Sequence, residues 1–202
     1  MSLAWYDRTL WRVIAYVPQR NLGLSQLSEN EADSMAGRKL MDKLGPKPFA
    51  MPDEDLSEAV LHWPLFPAHW GASRFSDGQS YGLLYAALER ETAIAEAHHY
   101  YAEFFADAGI PLPSAPRQQR GLFTFRVEEM LADIRKAAKN QRQLMANDHV
   151  WCRVFGEYLA SHLQSGWAYR SVRRENGSAI ALMRSDHASA VQWMETIELG
   201  GG

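Results

Sequence analysis

Residues 82–96 read GLLYAALERETAIAE, and within this stretch the hydrophobic pattern changes its period. From Gly82 to Leu88 the chain is apolar at successive positions, as expected of a central strand covered on both faces. From Glu89 the spacing becomes helical and continues through HHYYAEFFADAG to a stop at Gly109. On a helical wheel Ala93, Ala97, Tyr100 and Phe104 share one stripe at i, i+4, i+7 and i+11, the expected core face. Glu96 falls about 60° from the centre of that stripe, where a carboxylate can border a cleft. The wheel does not single it out, because Glu89 and Glu103 lie on the same flank.

Working outward, LWRVIAYV (10–17) is rich in β-branched and aromatic residues and reads as an N-terminal strand stopped by Pro18. SENEADSMAGRKLMDKL (28–44) is polar and helix-prone, with Ser28 as cap and Gly45-Pro46 as stop. PDEDLSEAVLH (52–62) predicts a short helix capped by Asp53, with acidic residues in its first turn. HWPLFPAHW (62–70) places two prolines among aromatic and histidine residues and must be irregular. Beyond the loop IPLPSAPRQQR, GLFTFRVE (121–128) reads as a strand, and 148–164 as a helix with Val150, Val154, Tyr158 and Leu159 as its apolar positions. YRSV, AIALM and VQWMETIEL predict three closing strands. Strands and helices mix without regular βαβ alternation, which predicts an α+β fold.

The chain has 202 residues, enough for one domain with a substantial core. Its formal charge of −3 gives no electrostatic case for nucleic acid. Cys152 is the one cysteine, so neither an intrachain disulfide nor a cysteine zinc cluster is available, and a reducing compartment is the natural reading. No stretch approaches the roughly 20 apolar residues of a membrane span, and no secretory signal pattern opens the chain, so it reads as cytoplasmic. Dinucleotide-fold, Walker, HExxH and GxSxG motifs are absent. His98 and His99 point about 100° apart on a helix and cannot easily share one metal, so they read as ordinary helix histidines. Most of the seven tryptophans are expected in the core, with Trp63 and Trp70 of the proline-rich loop as exceptions.

Five motifs occur in one order: Arg12 within LWRVIAY, SRF with Arg74, LLYAAL with Tyr85, ETAIAE ending at Glu96, and YRSVR with Ser171. Together they resemble the RES-domain family, named for an arginine, a glutamate and a serine. The resemblance covers residues 10 to 20 and about 71 to 198, and makes 21–70 look like an insertion within a single domain. Ser73 stands where a glycine usually precedes the arginine, and Val13 where some members carry an aromatic residue.

The resemblance implies an ADP-ribosyltransferase-like fold, a split, mostly antiparallel sheet with flanking helices around a cleft for NAD+. It implies a bacterial NAD+-degrading enzyme, a phosphorylase or glycohydrolase, acting as the toxin of a toxin–antitoxin pair. The partner would be an antitoxin with a helix-turn-helix domain. NAD+ would be the substrate, with inorganic phosphate as a possible co-substrate and no resident cofactor or metal. A mono-ADP-ribosyltransferase and an inactive partner-binding module are the alternatives. Glu96, Arg74 and Ser171 would then be catalytic, and Arg12, Arg74, Tyr85 and Ser171 would bind NAD+, with Arg173 as an extra candidate. The residue types suit that chemistry. A fixed carboxylate stabilises the oxocarbenium character that develops as nicotinamide leaves, and arginine forks match phosphate oxygens. HWPLFPAHW is a candidate docking surface for the antitoxin, or else packs as part of the core.

Overall fold

The computed structural model describes residues 2–15, 56–137, 142–162 and 165–200. The expected helix at 28–44 and the Asp53 cap lie outside them. Among the described residues six strands and two main helices alternate irregularly: β1 (Ser2–Ile14), β2 (Leu84–Ala87), α1 (Arg90–Asp107), β3 (Gln118–Asp133), α2 (Val150–His162), β4 (Gly166–Arg170), β5 (Ser178–Leu182) and β6 (Ala188–Leu199). This is the α+β mixture expected. The strands run in the order β1-β2-β5-β4-β3-β6, and β3 also pairs with β1, so five strands close into a ring with β6 attached outside. All pairings are antiparallel except β3–β4.

The ring is uneven. β1 and β3 pair without interruption from Ser2 opposite Asp133 to Ile14 opposite Gly121. Across the ring, β1 meets β2 only where Trp11 faces Ala87. The sheet is therefore thinnest at that seam, and α1 lies over it, with Ala93 and Ile94 packed against Trp11, Val13, Ala87 and Leu122.

Period-two alternation explains the short apolar strands. Ile180 and Leu182 of β5 and Ala168 of β4 enter one core with Tyr6, Leu10, Leu84, Phe125, Val127 and Leu131. Their neighbours Ala179, Ala181, Trp167 and Tyr169 enter a second core with Phe75, Cys152 and Leu159. Both faces are buried, so GWAY and AIAL read as continuous apolar runs. The long strands β1 and β3 are instead half-solvated, and carry exposed ion pairs such as Arg126 with Asp7 and Glu128. For that reason β1 extends back to Ser2 and β3 runs from Gln118 to Asp133, beyond the apolar segments 10–17 and 121–128.

Both helices are rotated relative to their sequence wheels. In α1 the buried residues are Thr92, Ala93, Tyr101 and Phe105, while Tyr100 and Phe104 are half-exposed. In α2 Val150, Val154 and Tyr158 face outward, and Cys152, Gly156 and Leu159 face the core. Of the tryptophans only Trp167 is fully buried, and Trp5 is largely exposed. HWPLFPAHW folds as two short 3₁₀ turns, Trp63–Leu65 and Pro67–His69. Leu65 packs on the first core while Phe66 is exposed, so the loop is divided between the two expectations.

Gly156 shows how tightly α2 is seated. A Cβ there would lie 2.0 Å from the Phe75 carbonyl oxygen. Alanine normally stabilises a helix interior over glycine by up to about 1 kcal/mol. Here Gly156→Ala should destabilise the protein by about 1–3 kcal/mol through overpacking, measured as a lower denaturant midpoint. An unchanged or raised midpoint would contradict this packing.

Candidate active site

β4 ends at Arg170, and the turn that follows brings its next residue against α1. Ser171 Oγ donates to Glu96 Oε1 at 2.6 Å and accepts from the backbone N–H groups of Arg173 at 3.0 Å and Arg174 at 3.3 Å. A hydroxyl has one proton and two lone pairs, so all of its capacity is used. Ser171 is buried, and its own N–H donates to the Gly177 carbonyl. Among the described residues Glu96 is engaged through Oε1 alone.

Glu96 stands at the rim of a cleft of about 230 Å³ that opens at the β1–β2 seam. Arg12 and Trp11 line it from β1, Tyr85 from β2, Tyr100 from α1 and Tyr169 from β4. Arg12 Nη1 donates to the Tyr85 carbonyl at 2.5 Å, while its Nε is buried without a partner. Burial pushes the Arg12 guanidinium down to about 10, which still leaves it charged at neutral pH. Arg12 thus brings to the cleft a desolvated positive charge met by a neutral carbonyl, an arrangement suited to an anionic ligand.

Tyr85 is fixed by hydrogen bonds at its tip. Its hydroxyl lies 2.9 Å from Ser73 Oγ and accepts from the Phe75 N–H at 3.2 Å. Burial raises its pKa strongly, against the smaller opposing effect of these bonds, so it is a neutral phenol. Tyr169 packs edge-on to it at 6.5 Å and is likewise held neutral by burial. The cleft therefore has an aromatic, uncharged floor between one cation and one carboxylate.

Arg74 takes a different place. It is 5% exposed and does not line the cleft; its Nη2 donates to the carbonyls of Leu144 and Ala146. Neither Arg74 nor Arg12 has an acidic partner among the described residues. The structure thus unites Arg12, Tyr85, Glu96 and Ser171, and sets Arg74, from the segment before β2, behind them against the turn that precedes α2.

The other carboxylates on the Glu96 flank are occupied elsewhere. Glu89 Oε2 accepts from Thr92 Oγ1 at 2.6 Å and from the Ser178 N–H at 2.9 Å, latching the start of α1 to β5. Glu103 pairs with His99 at 3.5 Å, outside the cleft. His98 is exposed, and no cluster of three or more potential metal ligands occurs among the described residues. Trp11, Tyr100 and Tyr169 are cleft residues that the sequence reading missed. Tyr169 is the first residue of the YRSVR motif, and Trp11 lies within LWRVIAY, so both motifs contained a cleft residue that the reading did not single out.

A closed α+β sheet, with its shortest ladder at one seam beside a serine-held carboxylate, frames a cleft of small-ligand size. The RES-domain family model matches residues 53–199, and the chain belongs to that family. β1, with Arg12, precedes the matched range. No curated protein matches the chain. A chain of the crystal structure of the M. tuberculosis MbcT–MbcA toxin–antitoxin complex is similar in fold, with a TM-score of 0.53 and 10% identity. The similarity covers 98% of this chain and 86% of that one. Among the described residues no helix is long and apolar enough to cross a membrane.

Ser171→Ala should leave the N–H groups of Arg173 and Arg174 without their acceptor and Glu96 without its donor. The expected cost is about 1–3 kcal/mol of stability, read from equilibrium unfolding. Ser171→Thr, which retains the hydroxyl, should recover most of it. Equal stability of Ser171→Ala and wild type would show that these bonds do not hold the turn.

Proposed function

We propose that the protein cleaves the nicotinamide–ribose bond of NAD+, as a phosphorylase or glycohydrolase, and acts as the toxin of a toxin–antitoxin pair. The observation that carries the proposal is the Ser171–Glu96 pair at the rim of the Arg12–Tyr85–Tyr169 cleft, in a chain of the RES-domain family. The cleft, at about 230 Å³, is smaller than the roughly 300–1,000 Å³ typical of whole-ligand sites. It suits one end of a dinucleotide, the nicotinamide and its ribose, with the remainder lying along the open mouth.

In this reading the aromatic floor of Tyr85 and Tyr169 receives the nicotinamide ring. Ser171 holds one oxygen of Glu96, and the other accepts from the ribose 2′-hydroxyl. As the C–N bond breaks, its electron pair leaves with neutral nicotinamide and positive charge develops on the ribose. The fixed carboxylate stabilises that charge more in the transition state than in the bound substrate. Phosphate or water then bonds to the ribose carbon. Arg12 binds the pyrophosphate, and Arg74 fixes the 144–146 turn while contributing charge behind the site. The seam at Trp11 and Ala87 corresponds to the split of an ADP-ribosyltransferase-like sheet. Such an enzyme in the cytoplasm requires an inhibitor, and an antitoxin with a helix-turn-helix domain that covers the cleft would supply it.

Purified, inhibitor-free protein should consume NAD+ and release nicotinamide, with ADP-ribose-1″-phosphate as product if phosphate is the acceptor. Glu96→Gln should lower turnover about 10²–10³-fold with NAD+ affinity largely retained. Arg12→Ala should instead weaken NAD+ binding roughly 10-fold or more, the worth of a charge-assisted bond. Intact NAD+ after long incubation of folded wild type would overturn the enzymatic reading. In bacteria, wild-type expression should arrest growth and lower cellular NAD+, with Glu96→Gln tolerated at the same protein level. Harmless expression of active wild type without a partner would remove the toxin role.

A further inference from the structure

α1 borders two different concavities. Glu96 and Tyr100 face the cleft. About 120° further round the helix, at 100° per residue, Ala102 and Ala106 form one wall of an open groove of about 500 Å³. Ile110, Pro111 and Leu112, from the segment that follows the helix, form the other wall. Leu112 is 46% exposed and Ala106 is exposed, so apolar side chains on both walls stand in water. Packed helices approach to about 8–10 Å between axes, closest where the contacting residues are small. Alanine at 102 and 106, one turn apart, leaves room for such an approach.

The rim of the groove carries charge of one sign. Glu103 and Asp107 are both exposed, four residues and about 6 Å apart along the helix. Among the described residues neither carboxylate meets an arginine or a lysine. Glu103 has only His99, whose Nε2 lies 3.5 Å away without forming a hydrogen bond and is buried without a partner. Arg173, whose charge acts on His99, is bonded to Asn147 Oδ1 and does not line the groove. Asp107 is the last residue of α1, at the negative end of the helix dipole, and no basic residue offsets it in the final turn. A lysine there would suit the free helix better. Unmet acids beside an exposed apolar groove form a pattern that a basic ligand completes.

We propose that this groove is a docking site for a basic amphipathic helix of a partner protein. The helix lays its apolar stripe between α1 and residues 110–112, and sets lysines or arginines spaced i and i+4 on Glu103 and Asp107. Charge complementarity fixes the class of occupant, because the acidic rim repels nucleic acid and anionic lipid surfaces. The inference stands apart from the NAD+ reading, since none of these residues lines the cleft.

Fluorescence anisotropy with a labelled synthetic peptide of about 18 residues tests the groove, the peptide carrying leucines at i, i+3, i+4 and i+7 and lysines along one flank. Wild type should bind it saturably, with a Kd on the order of 10 μM, and a scrambled peptide of the same composition at least about tenfold more weakly. Glu103→Lys combined with Asp107→Lys should weaken binding about tenfold or more. The exchange relieves acid at the helix end, so the variant is expected to fold. Leu112→Asp, outside the helix, tests the apolar wall separately and should cause a similar loss. Glu157→Lys, the same charge change on an exposed residue of α2, should leave binding unchanged. No saturable binding by wild type, equal binding of the scrambled peptide, or an equal loss in Glu157→Lys would overturn the proposal. Wild type that self-associates in sedimentation, with the association abolished by Asp107→Lys, would assign the groove to a second copy and overturn it too.

Discussion

β3 is paired along both edges, and the ring exists because of it. On one edge it forms the uninterrupted ladder with β1; on the other it pairs with β6 along its first part and with β4 at Ala132 and Asp133. Closing a sheet removes most of its unpaired edge, and the register of the closing ladder then fixes what every residue faces. With Arg12 opposite Phe123 and Trp11 opposite Thr124, β1 delivers both residues to the seam where it touches β2. A slip of one residue would exchange the faces that Trp11 and Arg12 present and remove the pair from its place at the seam. The cleft is thus a consequence of ring closure, located where the ladder between neighbours is shortest.

The carboxylate depends on that frame through one hydroxyl. Glu96 sits on α1 and Ser171 follows β4, two elements brought together by the packing of α1 over the seam and by Glu89, which ties the first turn of α1 to the start of β5. Ser171 is oriented by the two backbone N–H groups it accepts, so its proton has one direction in which to point. A long, flexible carboxylate side chain becomes fixed by a donor whose own rotor is locked, which is preorganisation of the kind that charge stabilisation requires. The tyrosine floor adds a low dielectric, where each remaining charge acts more strongly.

Much of this was legible in the sequence, and the limits have physical causes. GLLYAAL and AIALM announce themselves because both faces of those strands are buried, whereas the strand expected at YRSV lies earlier, at Gly166–Arg170; the order of SRF, LLYAAL, ETAIAE and YRSVR pointed to Glu96 and Ser171, which the structure joins by a hydrogen bond. The ends of β1 and β3 were not legible. Their outer faces carry Asp7, Arg8, Arg126 and Glu128, so the hydrophobic signal fades while the backbone pairing continues. In α2 Leu159 was read as apolar and is buried, but Val150, Val154 and Tyr158 face outward, because the rest of the buried face is Cys152 and Gly156, and Gly156 approaches the Phe75 carbonyl closely. The position of Arg74 was also invisible, since a motif gives the residue but not which carbonyls its guanidinium will meet.

The misreading of α1 reveals the most about the site. YY at 100–101 and FF at 104–105 are doublets, and a wheel cannot decide which member of each faces inward. The structure buries Tyr101 and Phe105 with Ala115 and Leu199, and places the Tyr101 hydroxyl on the Pro116 carbonyl at 2.7 Å. That choice turns the helix by one residue relative to the apparent stripe. Tyr100 then moves from the expected core to the wall of the cleft, beside Glu96. Two adjacent aromatic residues thus serve two needs at once, one ring anchoring the helix and the next shaping the cavity. Local pattern and final packing disagree on the helix face that borders the cleft, where a functional requirement is expected to override the simplest amphipathic solution.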